Sequence, residues 1–228
     1  MPGGWESEIV TEFRAVLFDM DGVLIDTEPH WKDLWRNEVF PDVADGEPSL
    51  EDVTGRSYTD SIPDLHENYT LAKEPQHYVD LVERQADDLY AEAADGAPVV
   101  HDLFDVVRDR GLAVGIVSSA PPDWIETVVD RFGLGPLDLC QSAFDAPGPG
   151  KPEPDVYEYA AAALGLDPAE TIVVEDSTNG VRAAAAAGAT VIRFEIGVAA
   201  DAMDEATAVV HDAAELEAVL IDLLDGVQ

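Results

Sequence analysis

The stretch Arg14-Ala15-Val16-Leu17-Phe18-Asp19-Met20-Asp21-Gly22 decides how this chain is read: an apolar run of strand length stops on two carboxylates, one residue apart, and a glycine. A run that is apolar at consecutive rather than alternate positions is a strand buried on both faces, as in a parallel sheet. Asp19 and Asp21 then stand at its C-terminal end, the edge at which open α/β sheets bind their ligands. The next run of this kind, Leu112-Ala113-Val114-Gly115-Ile116-Val117, stops at Ser118-Ser119-Ala120-Pro121-Pro122.

Between these two runs the pattern changes. Residues 31–40, 58–69 and 76–94 carry apolar side chains three and four apart, for example Tyr78, Leu81, Val82 and Leu89, which predicts helices. Pro29, Pro41, Pro63 and Pro75 punctuate the segment, and Pro63 predicts that the middle helix is broken or starts late. After Pro98 helix and strand alternate: helices over 99–110, 122–132, 153–164 and 178–187, strands over 112–118, 137–142, 171–175 and 189–194. A last strand follows at 208–210 and an amphipathic helix at 213–224. The prediction is an α/β fold with a doubly wound, mostly parallel sheet formed by 1–26 and 98–228, and a helical insertion over 27–97.

Composition narrows the function. The 228 residues carry 12 Lys plus Arg against 48 Asp plus Glu, a formal charge of −36, which excludes a nucleic-acid binder driven by phosphate neutralisation. Hydrophobic residues make up 46%, enough for a packed core. Only Lys32, Lys73 and Lys151 represent lysine, and self-repulsion this strong is relieved by salt, so a high-salt cytosol of the halophilic kind is expected. The N-terminal ten residues are Gly-rich and acidic, and no window offers about 18 uninterrupted apolar residues, so the expectation is a cytoplasmic protein with no membrane partner. Cys140, alone of its kind, falls in an apolar stretch and reads as a buried strand thiol. Oligomeric state is open, with a monomer favoured. Gly148-Pro149-Gly150-Lys151 is not a phosphate-binding P-loop, because Asp145 and Pro152 stand where Gly and Ser or Thr are needed.

A parallel sheet brings four chain segments to one edge: Asp19 and Asp21, Ser118 with Ser119, the loop before Lys151, and Glu175-Asp176. Each alone has a plain explanation in so acidic a chain; together they describe a phosphoryl-transfer site. Converging carboxylates need a cation, and hard oxygen ligands point to Mg²⁺. Lys151 would offset phosphate charge, and Ser118 with nearby backbone amides would donate to the phosphate oxygens. Asp19 can act as nucleophile and Asp21 as general acid, then base.

These residues resemble the haloacid dehalogenase-like superfamily of phosphohydrolases. Its first motif is matched by Leu17-Phe18-Asp19-Met20-Asp21-Gly22-Val23-Leu24-Ile25-Asp26, its second by Ser118, its third by Lys151 in Gly150-Lys151-Pro152-Glu153-Pro154, and its fourth by Val174-Glu175-Asp176-Ser177 with Gly180. The resemblance implies a Rossmann-like core with a helical cap, attack on phosphorus by Asp19, proton handling by Asp21, and Mg²⁺ held by the Asp19 side chain, the Asp21 carbonyl and Asp176, with Glu175 acting through water. Asp21 and Asp176 favour phosphate over carbon–halogen chemistry. Asp26-Thr27-Glu28-Pro29 and Val53-Thr54-Gly55-Arg56-Ser57 are similar to the β-phosphoglucomutase and phosphoglycolate phosphatase subgroup. There Gly55 would give a cap loop its freedom and Arg56 would either reach the substrate or make a surface ion pair. Where the mutase carries a cap His and Arg, this chain has Trp31 and Tyr58, which shifts the expectation to a phosphatase of a small phosphorylated metabolite. The alternatives are a sugar-phosphate mutase and a non-catalytic regulator phosphorylated on Asp19. Trp31 and Trp35, one turn apart, are expected to pack their helix rather than to touch a substrate.

Overall fold

The structure, a computed structural model, describes residues 12–96, 100–195 and 203–226. In chain order the elements are β1 (Ala15–Phe18), β2 (Ile25–Asp26), α1 (Glu28–Leu34), α2 (Tyr58–Asn68), α3 (Pro75–Asp88), β3 (Asp95–Gly96), α4 (Val100–Asp109), β4 (Ala113–Ser118), α5 (Pro122–Phe132) and β5 (Leu139–Ser142). They continue with α6 (Asp155–Ala163), β6 (Thr171–Glu175), α7 (Thr178–Ala187), β7 (Thr190–Phe194), β8 (Ala208–Val210) and α8 (Ala213–Leu224). Six strands form one sheet in the order β5-β4-β1-β6-β7-β8, and every pairing in it is parallel.

Alternation along the central strands explains why both faces are covered. Val16 and Phe18 of β1 point to one side, where they join Ile116, Ile172, Val174 and Ile192 beneath Phe104 of α4, Ile125 of α5 and Leu220 of α8. Leu17 points to the other side, with Val117, Val173 and Val191 against Tyr157 of α6 and Val181 of α7. A strand whose neighbouring side chains enter two different cores must be apolar throughout, which is the pattern of 14–18. Among the described residues no helix is long and apolar enough to cross a membrane.

The segment between β2 and β3 packs around a cluster of its own, built on Leu34, Trp35, Ile62, Leu65, Tyr78 and Val82. Its two ends meet in a short antiparallel ladder that pairs Ile25 with Gly96 and Asp26 with Asp95. The sequence carries no pattern for this ladder, because two residues are too few for a period. Residues 97–99, on which the expected boundary of the insertion and the start of α4 fall, lie outside the described residues, as do the first eleven and so the acidic N-terminus.

Two expectations are corrected. The middle helix is not broken: α2 runs from Tyr58 to Asn68 through Pro63, which sits on the exposed face, so its missing N–H leaves one carbonyl to solvent instead of stranding it in the core. Cys140 is exposed rather than buried. It belongs to β5, the edge strand, which has a neighbour on one side only, and its outward pleat lies open.

Candidate active site

The register of the sheet assembles the site. Phe18 lies opposite Ile116 and Val174, so Asp19 emerges level with Glu175, with Asp176 one residue beyond and Ser118 two residues beyond Ile116. The Asp19 amide still bonds the Val174 carbonyl at 2.9 Å, which fixes the nucleophile candidate to the end of the ladder. The four predicted segments therefore do meet at the C-terminal edge.

Lys151 reaches this edge from the loop after β5 and is buried between two carboxylates. Its Nζ donates to Asp19 Oδ1 and to Glu175 Oε1, each at 2.6 Å. Burial alone would push the ammonium pKa down, but the charges of Asp19 and Glu175 carry it well above the usual lysine range, so the side chain stays charged. Glu175 is held in turn: Tyr157 donates its hydroxyl to Oε1 at 2.8 Å, and the amide and hydroxyl of Ser177 donate to Oε2 at 3.2 and 3.0 Å. Glu175 is thus the anchor of the lysine.

Carboxylates outnumber cations here. Oxygen atoms of Asp19, Glu175 and Asp176 lie within 4.8 Å of one another. Burial raises the pKa of Asp19 well above the usual carboxylate range, with Lys151 opposing and Glu175 and Asp21 adding to the rise. Asp176 is raised well above it too, by burial and then by Glu28, Glu175 and Asp19. An all-oxygen set of close, desolvated anions with too few positive charges fits a hard divalent cation. The turn after Asp21 is shaped for the same set: Gly22 has φ +80°, and a Cβ on it would fall 2.2 Å from Asp176 Oδ2.

Asp21 points away from this cluster. Its Oδ1 accepts from the Thr27 hydroxyl at 2.5 Å and from the Tyr90 hydroxyl at 2.9 Å. Burial raises its pKa, and the hydrogen bonds from Thr27, Tyr90 and Trp31 oppose the rise. Ser118, the last residue of β4, is buried, and its Oγ accepts from the Ala120 amide at 3.1 Å. Ser119 donates its hydroxyl to the Gly55 carbonyl at 2.9 Å, which ties the insertion to the sheet edge. Gly55 has φ +75°, which a side chain would resist.

Above the carboxylates lies a cleft of about 650 Å³, its open mouth included, lined by Asp19, Asp21, Asp176, Ser118 and Ser119 on the side of the sheet edge and by Gly55 on the side of the insertion. Arg56 makes the expected ion pair, with Asp64, and also lines the cleft. Trp31 and Trp35 line the cleft as well as packing the insertion, which widens the role expected of them. Sequence reasoning missed Glu28, Tyr90, Trp124 and Tyr157. Glu28 follows Thr27 and Tyr157 opens the helix after Lys151, so both sit beside recognised motifs. Tyr90 and Trp124 carry no spacing signal.

Comparison with known proteins agrees with this geometry. A family model described as haloacid dehalogenase-like hydrolase matches residues 13–188. Hexitol phosphatase B from Escherichia coli K12 is 34% identical over 186 residues, 77% of this chain and 81% of that protein. Validoxylamine A 7'-phosphate phosphatase from Streptomyces hygroscopicus subsp. limoneus is 30% identical over 90% of this chain and 96% of that one. In fold, the crystal structure of β-phosphoglucomutase from Clostridium difficile superposes with a TM-score of 0.71 at 20% identity, covering 94% of this chain and 99% of that one. The chain therefore belongs to the haloacid dehalogenase-like hydrolases, in the branch of the phosphatases and β-phosphoglucomutase-like folds, and is a phosphoric monoester hydrolase.

Proposed function

We propose that the enzyme is a Mg²⁺-dependent phosphatase of a small phosphorylated metabolite and works through a phosphorylated Asp19. The observation that carries this reading is Lys151, buried at 2.6 Å from both Asp19 and Glu175, directly behind a cleft lined by Asp19, Asp21, Ser118 and Asp176. Asp19 attacks phosphorus as the ester P–O bond breaks, and Asp21 gives its proton to the departing alcohol oxygen. Asp21 then takes a proton from the water that cleaves the acyl phosphate, which restores Asp19. Thr27 and Tyr90 keep Asp21 turned toward the leaving oxygen. Lys151 and Ser118, with the amides around Ser119, take up phosphate charge.

Asp19, the Asp21 carbonyl and Asp176 would hold the cation, with Glu175 within water-bridging reach. Bound there, the ion would reduce repulsion between an anionic nucleophile and an anionic phosphate. Residues 27–97 act as a cap that closes over the cleft, with Gly55 and Arg56 on its inner surface, and excludes bulk water. The names of the relatives support a phosphorylated carbohydrate as substrate. The charge of −36 supports work in a concentrated, high-salt cytosol, where unfolding midpoints would rise between millimolar and molar KCl.

A phosphate-release screen over sugar phosphates, sugar-alcohol phosphates, phosphoglycolate and nucleotides, with Mg²⁺ and with EDTA, tests the reading. Release that needs Mg²⁺ and disappears in Asp19→Asn is the expected result. Undiminished turnover by that variant would overturn the assignment.

A further inference from the structure

The wall of the cleft facing the carboxylates is aromatic. Trp124, on α5, lies at its centre, with Tyr58 stacked at 5.5 Å between ring centroids, Tyr90 at 5.3 Å and Trp31 stacked at 6.5 Å. Trp31, Tyr58 and Trp124 are only half-buried, which leaves ring surface open to the cleft that all three line. These rings come from both sides of the cleft: α5 follows the Ser118 strand, while Trp31, Tyr58 and Tyr90 belong to the insertion.

Charge on that wall is scarce. Arg56 is the single cation among the described residues lining the cleft, and it is already engaged: one terminal nitrogen binds the Asp64 carboxylate, and the other donates to the Asp52 carbonyl at 3.0 Å. Its Nε is buried and has no partner, leaving one N–H for an acceptor in the cleft. A second anionic group on a substrate would meet one half-neutralised guanidinium, with Asp19, Asp21, Glu28 and Asp176 lining the same cleft. The cost of desolvating such a group would go uncompensated.

Resting on the phosphatase reading above, we infer that the substrate is the monophosphate ester of an uncharged, saturated polyol or sugar, which departs as the alcohol. Its C–H face lies on the rings of Trp124, Tyr58 and Trp31, and one hydroxyl accepts from Arg56 Nε. The position of the rings favours a saturated skeleton over a nucleobase. Tyr90 donates to Asp21, and Trp31 lies beside that carboxylate, so the aromatic surface starts at the group that serves the departing oxygen. The carbons next to that oxygen are the ones the rings meet, whereas the base of a nucleotide stands a whole ribose further away.

The test is a specificity profile of the Mg²⁺-loaded wild-type enzyme with hexitol and hexose monophosphates, a hexose bisphosphate, phosphoglycolate, adenosine monophosphate and acetyl phosphate. The expected result is kcat/KM for the best hexitol or hexose monophosphate at least a hundredfold above the bisphosphate, phosphoglycolate and the nucleotide. In Trp124→Leu, KM should rise for that best substrate at least tenfold more than for acetyl phosphate, which has no skeleton to stack. Trp124→Phe should restore part of the loss. A preference for the bisphosphate or phosphoglycolate overturns the inference, a preference for the nucleotide replaces it with base stacking, and equal KM changes for both substrates remove the stacking role. Failure to release phosphate from every compound, acetyl phosphate included, refutes the phosphatase reading itself. Because the wild-type profile needs no variant, the inference stays open to refutation even if Trp124→Leu does not fold.

Discussion

Replacing Lys151 with methionine would remove the one positive charge buried between Asp19 and Glu175. The ammonium lies 2.6 Å from each carboxylate, the lysine and glutamate side chains are 0% exposed, and that of Asp19 is 9% exposed. Breaking a buried pair by deleting one partner costs about 3–5 kcal/mol, because the other charge is left without water or counter-ion. In a domain of this size that corresponds to a fall of about 6–20 °C in Tm. Urea unfolding in EDTA, followed by the fluorescence of the four tryptophans, reads the loss directly, and an unchanged m-value shows that it lies in the folded state. The sign with pH follows from the raised lysine pKa. Its contribution is fully present below the unfolded value of about 10.4 and is lost only as pH rises through the higher folded value, so the gap between wild type and variant should stay open from about pH 6 to 9. Lys151→Met combined with Glu175→Gln deletes one of the stranded charges and keeps one acceptor oxygen, for Tyr157 or for Ser177 but not for both, and the double variant should lose about 1–3 kcal/mol less than the sum of the two singles. A single variant within about 1 kcal/mol of wild type, or a double variant that loses the full sum of the two singles, would refute the view that the lysine neutralises both carboxylates.

Three further outcomes follow from the same geometry. Asp19→Asn should lower kcat by at least about a thousandfold while its urea midpoint stays near that of wild type, as measured by phosphate release and equilibrium unfolding. Carboxylates whose folded pKa is raised, here Asp19, Asp21 and Asp176, make the ion-free protein less stable as pH climbs above their unfolded value of about 4. Mg²⁺ at a hundredfold excess over its Kd should therefore add about 2.7 kcal/mol at pH 7 and clearly less at pH 5, where protons compete; thermal scans showing equal gains at both would count against binding at this cluster. Gly22→Ala, which forces a Cβ to within 2.2 Å of Asp176 at φ +80°, should cost about 1–2 kcal/mol and weaken Mg²⁺ binding by at least about tenfold in a calorimetric titration.

What could be read in the chain, and what could not, follows from the range of the interactions. The apolar runs before Asp19, Ser118 and Glu175 are local, and burial on both faces leaves such a clear mark that strand, edge and carboxylates could be placed together. The exposure of Cys140 could not be read, because it depends on β5 lying outermost, and strand order is a property of long-range pairing. Pro63 reads as a break because the loss of one backbone donor is local, whereas the face that carries the proline is decided by the packing of Ile62 and Leu65 on their neighbours. The convergence of Trp124 and Tyr90 on one wall escaped for the same reason: 34 residues separate them, and aromatic side chains on amphipathic helices read as core. Arg56 was open between two roles since its ion pair with Asp64 is local, while its exposure to the cleft depends on how the insertion sits on the sheet.

The two-residue ladder between β2 and β3 has a consequence for how such an enzyme can change. Because the chain departs and returns side by side, at Ile25 with Gly96 and Asp26 with Asp95, everything between forms a cassette whose backbone enters and leaves at one seam, although side chains such as Ser119 and Asn179 also hold it to the sheet edge. Exchange or redesign of that cassette can alter which alcohol is admitted while Asp19, Lys151, Glu175 and Asp176, all outside the seam, keep their places. New selectivities are thus open to this scaffold by recombination at one spot, provided that the new cassette keeps counterparts of Thr27 and Tyr90 to hold Asp21.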